Sequence, residues 1–316
     1  MALNNNGVSD GIRAAGSVTV NSGDVSAAGG KALYSGGIFS EDGDVTIKGG
    51  EVEAFGAHAS GENSGSVGIG SDNGSVNISG GNVAAEGCCA DGTGSVSDGI
   101  RANKSVTISG GSVFAESQRD TAESGTSDYS GGIFSETGDV TISGGSTKVT
   151  ALGGEGSIGS VGISAMKGSA IIKGGVVLAS GAESANGEVY GINAGNITAS
   201  PAQGKMIIAE TGSGYNIDSS GQISILGRTA VQGSPFKGEA SIGTSFTPLF
   251  YSYAADISDV TPGTDDPAGK DDPAAGKDGT PGTGDDFNAV PIIALMALAA
   301  AAAAGAALYG RKSLIK

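Results

Sequence analysis

One position of a sequence repeat carries side chains suited to binding a polysaccharide. Directly after a Gly-Ile pair stand Arg13, Phe39, Arg101 and Phe134. Aromatic rings stack on the C–H faces of sugars, and a guanidinium pairs with carboxylates in a two-pronged geometry. If the repeats stack in register, these side chains form one outward stripe, which is a candidate binding face for an extended polysaccharide, including an acidic one. The alternative is structural: loops cover the phenylalanines and nearby acids pair with the arginines.

The sequence contains few of the residues that other catalytic sites or metal sites need. The chain contains one histidine, His58, and one adjacent cysteine pair, Cys88 and Cys89. These are too few for a zinc site of the His/Cys type, a Cys/His nucleophile network or a disulfide framework. We expect His58 to be a loop residue without a role and the cysteines to be two loop thiols rather than a strained vicinal disulfide.

A calcium site is the remaining metal hypothesis, because calcium prefers carboxylate and carbonyl oxygens. The candidate carboxylates near predicted turns are Asp42, Asp44, Asp72 and Asp139. Their spacing follows neither the EF-hand pattern nor the nonapeptide calcium pattern. We therefore expect a solvated acidic surface, and we predict no metal site, no cofactor and no catalytic residue.

Composition excludes further classes of protein. The 316 residues include 59 glycines and no tryptophan, and the formal net charge is −16. Such a charge repels polyphosphates, so nucleic acid is not an expected partner. Glycine does not occupy every third position, which excludes a collagen helix and leaves either disorder or a turn-dense repeat.

The elements that must position the stripe are short β-rich segments in a repeat of roughly thirty residues. Each of the first six Gly-Ile segments is followed by a second segment such as Val45-Thr46-Ile47 and a third of the form Val-x-Ala, such as Val52 to Ala54, with a glycine pair such as Gly49-Gly50 between them. The Gly-Ile pairs are Gly11-Ile12, Gly37-Ile38, Gly68-Ile69, Gly99-Ile100, Gly132-Ile133, Gly162-Ile163 and Gly191-Ile192.

Short strands in one repeat cannot bury their apolar faces alone, so equivalent strands should stack from repeat to repeat. This predicts an all-β fold, a right-handed parallel β-helix with three short strands per turn and about seven turns. Alternation along the strands predicts which side chains point into the core: Ile38, Val45, Ile47, Val52 and Ala54. It predicts which point outward: Phe39, Thr46, Lys48 and Glu53.

The chain divides into three parts by composition. Residues 1–256 form the β-helix, with a C-terminal cap from about residue 200, where the repeat is lost and aromatic residues gather. Residues 257–288 are rich in Pro, Gly and Asp and form a disordered linker. Residues 289–316 contain an uncharged apolar segment, predicted to be a transmembrane helix, and a basic tail.

The basic tail sets the expected orientation. Arg311, Lys312 and Lys316 follow the apolar segment directly, and basic ends stay in the cytoplasm. The β-helix is therefore expected outside the cell. An outward-facing protein needs a secretion signal, and residues 1–6 contain none, so we expect the sequence to be a fragment or its start to be misassigned.

The end of the linker resembles the cell-wall sorting signal of Gram-positive surface proteins, whose motif is Leu-Pro-x-Thr-Gly. The matching segment is Thr280-Pro281-Gly282-Thr283-Gly284, in which Thr280 stands where the family has Leu. The resemblance implies that a sortase-type transpeptidase cuts between Thr283 and Gly284 and joins the chain to peptidoglycan. Retention in the membrane by the helix alone is the alternative.

The repeat over residues 9–200 resembles the Gly-rich β-helical repeats of bacterial surface proteins, including those of a carbohydrate-binding domain family. Its signature is Gly-Ile, then Val-Thr-Ile-Ser-Gly-Gly, then Val-x-Ala. The resemblance implies a non-enzymatic adhesin or carbohydrate-binding protein on the surface of a Gram-positive bacterium, with a polysaccharide or host glycan as ligand. Two alternatives stay open: a β-helical polysaccharide lyase or hydrolase, and a passive surface coat protein.

Overall fold

The structure is a computed structural model that describes residues 7–117, 125–182, 184 and 187–199, and the backbone of strands between residues 207 and 230. These residues belong to the first of two units of the chain, Met1–Ser258. The described part is all-β and contains no helix, so no helix able to cross a membrane occurs within it. The linker and the apolar segment at 257–316 lie outside the described residues, as does most of the expected cap.

The strands form a parallel β-solenoid of about six turns, which confirms the predicted fold class. Equivalent strands of successive turns pair into ladders. Seven strands with Gly-Ile pairs and a last strand with Asn216-Ile217 form the first ladder, and the chain completes six turns between the first Gly-Ile strand and the seventh. Its strands are β1 (Val8–Ala14), β4 (Tyr34–Ser40), β8 (Gly65–Ser71), β12 (Val96–Ala102), β15 (Ser127–Ser135), β18 (Gly156–Ile172), β20 (Glu188–Ala199) and β22 (Tyr215–Ser219).

The second ladder contains the Val-x-Ile segments. Its strands are β2 (Val18–Val20), β5 (Val45–Ile47), β9 (Val76–Ile78), β13 (Val106–Ile108), β16 (Val140–Ile142) and β23 (Ile223–Ile225). Between β16 and β23 the ladder is continued by the C-terminal parts of β18 and β20, which bend from the first ladder into the second. The last strand, β24 (Arg228–Ala230), pairs antiparallel with β23.

The third ladder contains the Val-x-Ala segments. Its strands are β3 (Asp24–Ala28), β6 (Glu51–Phe55), β10 (Asn82–Glu86), β14 (Ser112–Glu116), β17 (Lys148–Gly153), β19 (Val176–Gly181) and β21 (Ile207–Thr211). A short additional pair, β7 (Ala59–Ser60) and β11 (Ala90–Asp91), lies where the chain returns from the third ladder to the first.

Aliphatic side chains stacked in register fill the interior. The residues predicted to point inward, Ile38, Val45, Ile47, Val52 and Ala54, are at most 1% exposed. Those predicted to point outward are half-buried or exposed, so the alternation is confirmed. The isoleucines after the glycines form a fully buried column: Ile38, Ile69, Ile100, Ile133, Ile163 and Ile192.

The glycine of each pair marks a close approach between the first and third ladders. A Cβ placed on Gly99 would lie 2.4 Å from the amide nitrogen of Glu116 and 2.7 Å from the carbonyl carbon of Ala115, and the same contact recurs at Gly37 and Gly68. Real Cβ atoms do not come this close to backbone, and backbone cannot move aside as a side chain can. The Gly-Ile signature therefore meets two requirements: the glycine leaves space for the neighbouring ladder, and the isoleucine fills the apolar core.

Buried serines, which were not predicted from the sequence, satisfy backbone groups where the third ladder returns to the first. The hydroxyl oxygens of Ser35, Ser66 and Ser160 accept hydrogen bonds from the backbone N–H groups of Ala57, Cys88 and Ala182 at 2.8, 2.8 and 2.9 Å. Because an unpaired buried N–H is costly, this column of serines stabilises the corner of each turn.

Candidate functional site

The predicted stripe lies on the outer face of the first ladder, and its members are in register. Arg13 pairs with Phe39 across β1 and β4, and Arg101 pairs with Phe134 across β12 and β15. Gly70 separates the two pairs, and Ser164 and Asn193 continue the column on later turns. The stripe therefore consists of two Arg–Phe pairs rather than a continuous row of binding groups.

In the second pair, Arg101 contacts both the ring and two acids. Its Cζ lies 4.4 Å from the centroid of the Phe134 ring, and its Nη1 is 2.7 Å from Oδ2 of Asp98. Glu136 Oε2 lies 4.0 Å from Nη2 of Arg101, and Glu136 Oε1 lies 3.8 Å from Nζ of Lys167. The guanidinium thus contacts the aromatic ring and is paired with carboxylates at the same time.

The first pair has the same composition three turns earlier in the solenoid. The Cζ of Arg13 lies 5.2 Å from the centroid of Phe39, and Arg13 binds Asp10 at 2.5 Å and Glu41 at 2.8 Å. We call each set of Asp, Arg, Phe and Glu a module: the first consists of Asp10, Arg13, Phe39 and Glu41, and the second of Asp98, Arg101, Phe134 and Glu136. Both arginines thus pair with acids, as the structural alternative expected.

Each module encloses a buried carboxyl group. Asp98 is almost fully buried, and burial raises the pKa of its carboxyl above the usual value while Arg101 opposes the rise. Burial likewise raises the pKa of Asp10, opposed by Arg13. A glycine on the following turn makes room for each carboxylate, since a Cβ on Gly131 would lie 2.5 Å from Oδ1 of Asp98.

A groove of about 650 Å³ opens beside the second module. Arg101, Phe134 and Glu136 line it together with side chains that were not singled out from the sequence: Tyr129, Ile158, Met166, Glu188, Tyr190 and Asn193. Several of these are apolar and unusually exposed, with 51% of Tyr129, 45% of Ile158 and 60% of Met166 accessible. Large apolar side chains exposed together on one face are typical of a binding surface.

The ring of Tyr129 lies over a glycine of the next turn. A Cβ placed on Gly159 would be in ordinary van der Waals contact with this ring, 3.5 Å from Cδ1 and 3.8 Å from Cε1 of Tyr129. Tyr34, the equivalent residue of the first module's turn, extends over Gly65 in the same way and is 45% exposed. The repeated segment Tyr-Ser-Gly-Gly-Ile-Phe-Ser at residues 34–40 and 129–135 was the signal that could have identified both tyrosines.

The remaining candidates have structural partners. His58, directly before β7, has its Nε2 2.7 Å from Oδ2 of Asp91, which lies on the partner strand β11. The sulfur atoms of Cys88 and Cys89 lie 3.5 Å apart as thiols, and both residues are buried. Burial raises the pKa of the Cys89 thiol to about 12.

Two of the acidic residues considered for calcium accept hydrogen bonds from separate backbone groups. Asp44 Oδ1 accepts a hydrogen bond from the backbone N–H of Ser75, and Asp139 Oδ1 accepts one from Ser169, both at 2.8 Å. Within the described ranges, no group of three or more acidic, histidine or cysteine side chains is arranged to hold a metal ion.

The predicted sorting residues, Thr280, Pro281, Gly282, Thr283 and Gly284, lie outside the described residues. Comparisons of the whole chain with protein-family models, curated proteins and solved structures found no match. The case for a function therefore depends on the groove and on the chemistry of the side chains around it.

Proposed function

We propose that the protein is a non-enzymatic carbohydrate-binding protein or adhesin whose ligand occupies the groove beside the second module. The observation that carries the proposal is the exposed ring of Tyr129 in the same groove as Phe134 and the paired charges of Arg101 and Glu136. Sugars offer C–H faces to aromatic rings and hydroxyl groups to charged partners, so both kinds of group are needed at one site.

The charge of the chain also favours a sugar over other extended ligands. The net charge of −16 disfavours nucleic acid and other polyphosphates. A purely apolar ligand would not use the carboxylates and the guanidinium that border the groove. A polyhydroxylated chain satisfies both the apolar and the charged parts of the surface.

We further propose that the solenoid is displayed outside a Gram-positive cell by its C-terminal segment. The support is the resemblance of Thr280 to Gly284 to a sorting signal and the uncharged segment before Arg311 and Lys312. In this proposal a sortase-type transpeptidase attaches the chain to peptidoglycan, or the apolar segment retains it in the membrane. Residues 257–288, rich in Pro, Gly and Asp, would then connect the binding unit to the envelope.

A polysaccharide lyase or hydrolase is the second candidate, because Asp98, Arg101 and Glu136 border the same groove. Two carboxyl groups and a basic residue are the groups that such enzymes use. However, Asp98 is buried against Arg101, and the same arrangement recurs in the first module. The repetition favours a structural use of these charges, which hold the arginine over the ring.

The test is a glycan array probed with the full chain, purified in a non-glycosidic detergent, followed by calorimetry on the glycans that bind. Tyr129→Ala removes an exposed ring and should weaken binding of short oligosaccharides about tenfold. Tyr34→Ala, the equivalent change in the first module's turn, is the matched control and should leave the affinity for a disaccharide unchanged.

The outcomes separate the three functions. Binding without cleavage, lost in Tyr129→Ala, supports the proposal. Release of reducing or unsaturated ends would replace it with the enzyme. Uniformly negative arrays would favour a passive coat protein.

A further inference from the structure

We infer that the ligand is an uncharged, extended β-1,4-linked polysaccharide that runs along the solenoid axis and contacts both modules at once. The inference rests on the proposed function, since it names the class of glycan and the way in which it lies. Its basis is the repetition of one set of binding groups at a fixed distance along a single face.

The two exposed tyrosines are separated by a fixed number of turns. Tyr34 pairs with Gly65, Gly65 with Val96, and Val96 with Tyr129, so three strand-to-strand steps separate the two rings. Parallel strands are about 4.8 Å apart, so the platforms are about 14 Å apart along the axis. The two phenylalanines are separated in the same way, through Gly70 and Arg101.

The tyrosine column between the platforms carries one side chain, that of Val96. Gly65 has no side chain, and a Cβ there would lie 3.3 Å from Cδ1 of Tyr34 and 3.5 Å from Cγ2 of Val96, so these two side chains cover the glycine. Val96 itself is half-buried. A straight ligand that follows the tyrosine column therefore crosses only the half-buried Val96 between the two rings.

The geometry of the ligand follows from these distances. An extended β-1,4-linked glucan or chitin chain advances per sugar by nearly the spacing of adjacent strands, so sugars separated by three linkages match the two platforms. All ring substituents of these sugars are equatorial, so either face of each ring presents C–H groups to an aromatic side chain. A coiled α-linked glucan does not keep this spacing.

The charges on this face favour an uncharged glycan over an acidic one. Both arginines are already paired, Arg13 with Asp10 and Glu41 and Arg101 with Asp98. Further carboxylates border the ligand path at Asp72, Glu136 and Glu188. A polyuronate would be repelled by these carboxylates, whereas neutral hydroxyl groups can donate hydrogen bonds to them.

The test measures affinity against ligand length with the full chain in a non-glycosidic detergent. The probes are the cello-oligosaccharides from cellobiose to cellohexaose, with maltohexaose as the α-linked control and a cellohexaose oxidised to the uronate as the acidic control. Affinity should rise by at least about tenfold between the trimer and the pentamer, because the longer probe reaches both platforms. Tyr34→Ala should abolish this rise, whereas Tyr129→Ala should weaken the binding of every probe, cellobiose included.

The outcomes separate this inference from the function on which it rests. A smooth length dependence, or a rise that survives Tyr34→Ala, would overturn the bridging of the two modules while carbohydrate binding stands. Equal or tighter binding of maltohexaose or of the uronate would overturn the ligand class. If no glycan on the array binds, the proposed function itself fails.

Discussion

Replacing Gly99, the glycine of a Gly-Ile pair, should destabilise the solenoid far more than replacing Gly145, a turn glycine with open space around it. In Gly99→Ala the new Cβ would lie 2.4 Å from the nitrogen of Glu116 and 2.8 Å from the carbonyl oxygen of Ala85. Both atoms belong to backbone held in the third ladder. The strain can be relieved only by separating two ladders, which opens the core around Ile100.

The magnitude follows from the nature of the contact. Overpacking that side chains can absorb costs about 1–3 kcal/mol, and a contact with paired backbone belongs at the upper end, about 3 kcal/mol. For a domain of this size each kcal/mol lowers the melting temperature by about 2–4 °C, so we expect a decrease of about 6–12 °C. Thermal unfolding of the full chain, followed by circular dichroism in the β-sheet region, measures it.

Gly145→Ala is the matched control, because a Cβ on Gly145 meets nothing within 4 Å. This change should leave the melting temperature unaltered or raise it slightly, since alanine reduces the conformational entropy of the unfolded chain. If Gly99→Ala and Gly145→Ala melted together, the close approach of the first and third ladders would be refuted, and with it the steric reason for the Gly-Ile repeat.

Three further predictions concern single groups. Burial raises the pKa of Asp98, so the native state keeps this proton at pH values where the unfolded chain has released it, and the free energy of unfolding should fall as pH rises from about 4 through the raised pKa. Asp98→Asn should remove this part of the pH dependence of the urea midpoint. Parallel pH profiles of the two proteins would contradict the prediction. The buried Cys89 thiol, with a pKa raised to about 12, should react with iodoacetamide at pH 8 at least about a hundredfold more slowly in the native chain than in urea, whereas equal rates would contradict its burial. Thr280→Leu, which restores the Leu of the sorting motif, should increase the yield of product ending at Thr283 when the chain is incubated with a sortase and an amine acceptor, as measured by mass spectrometry; no such product from either chain would argue against sorting.

The core and the register of the stripe could be predicted from the sequence because both follow from one period. Alternation within a strand assigns Ile38 and Val45 to the interior, and the recurrence of Gly-Ile aligns Arg13 with Phe39 on the next turn. These are local facts repeated along the chain. The physical reason for the glycine was not accessible in this way, because it depends on how closely the third ladder approaches the first.

The groove could not be predicted because it is formed by residues of successive turns that share no motif. Tyr129 belongs to the repeated block, but Met166 lies in the irregular part of β18, where the register shifts between Ala165 and Ser169. Tyr190 stands in a column occupied by Val161 one turn earlier. The sequence repeat does not identify such residues, because each of them interrupts the repeating pattern.

The two modules show that a repeated sequence block acquires its surface shape from the turns that follow it. After the first block, the column of the phenylalanine continues with Gly70, and the ring of Phe39 lies against that glycine. After the second block it continues with Ser164, and Met166 in that turn and Tyr190 in the turn after it form the walls of a groove around Phe134. The same residues thus form an open platform in one place and a walled site in the other, because the walls come from two later turns that the first block does not have.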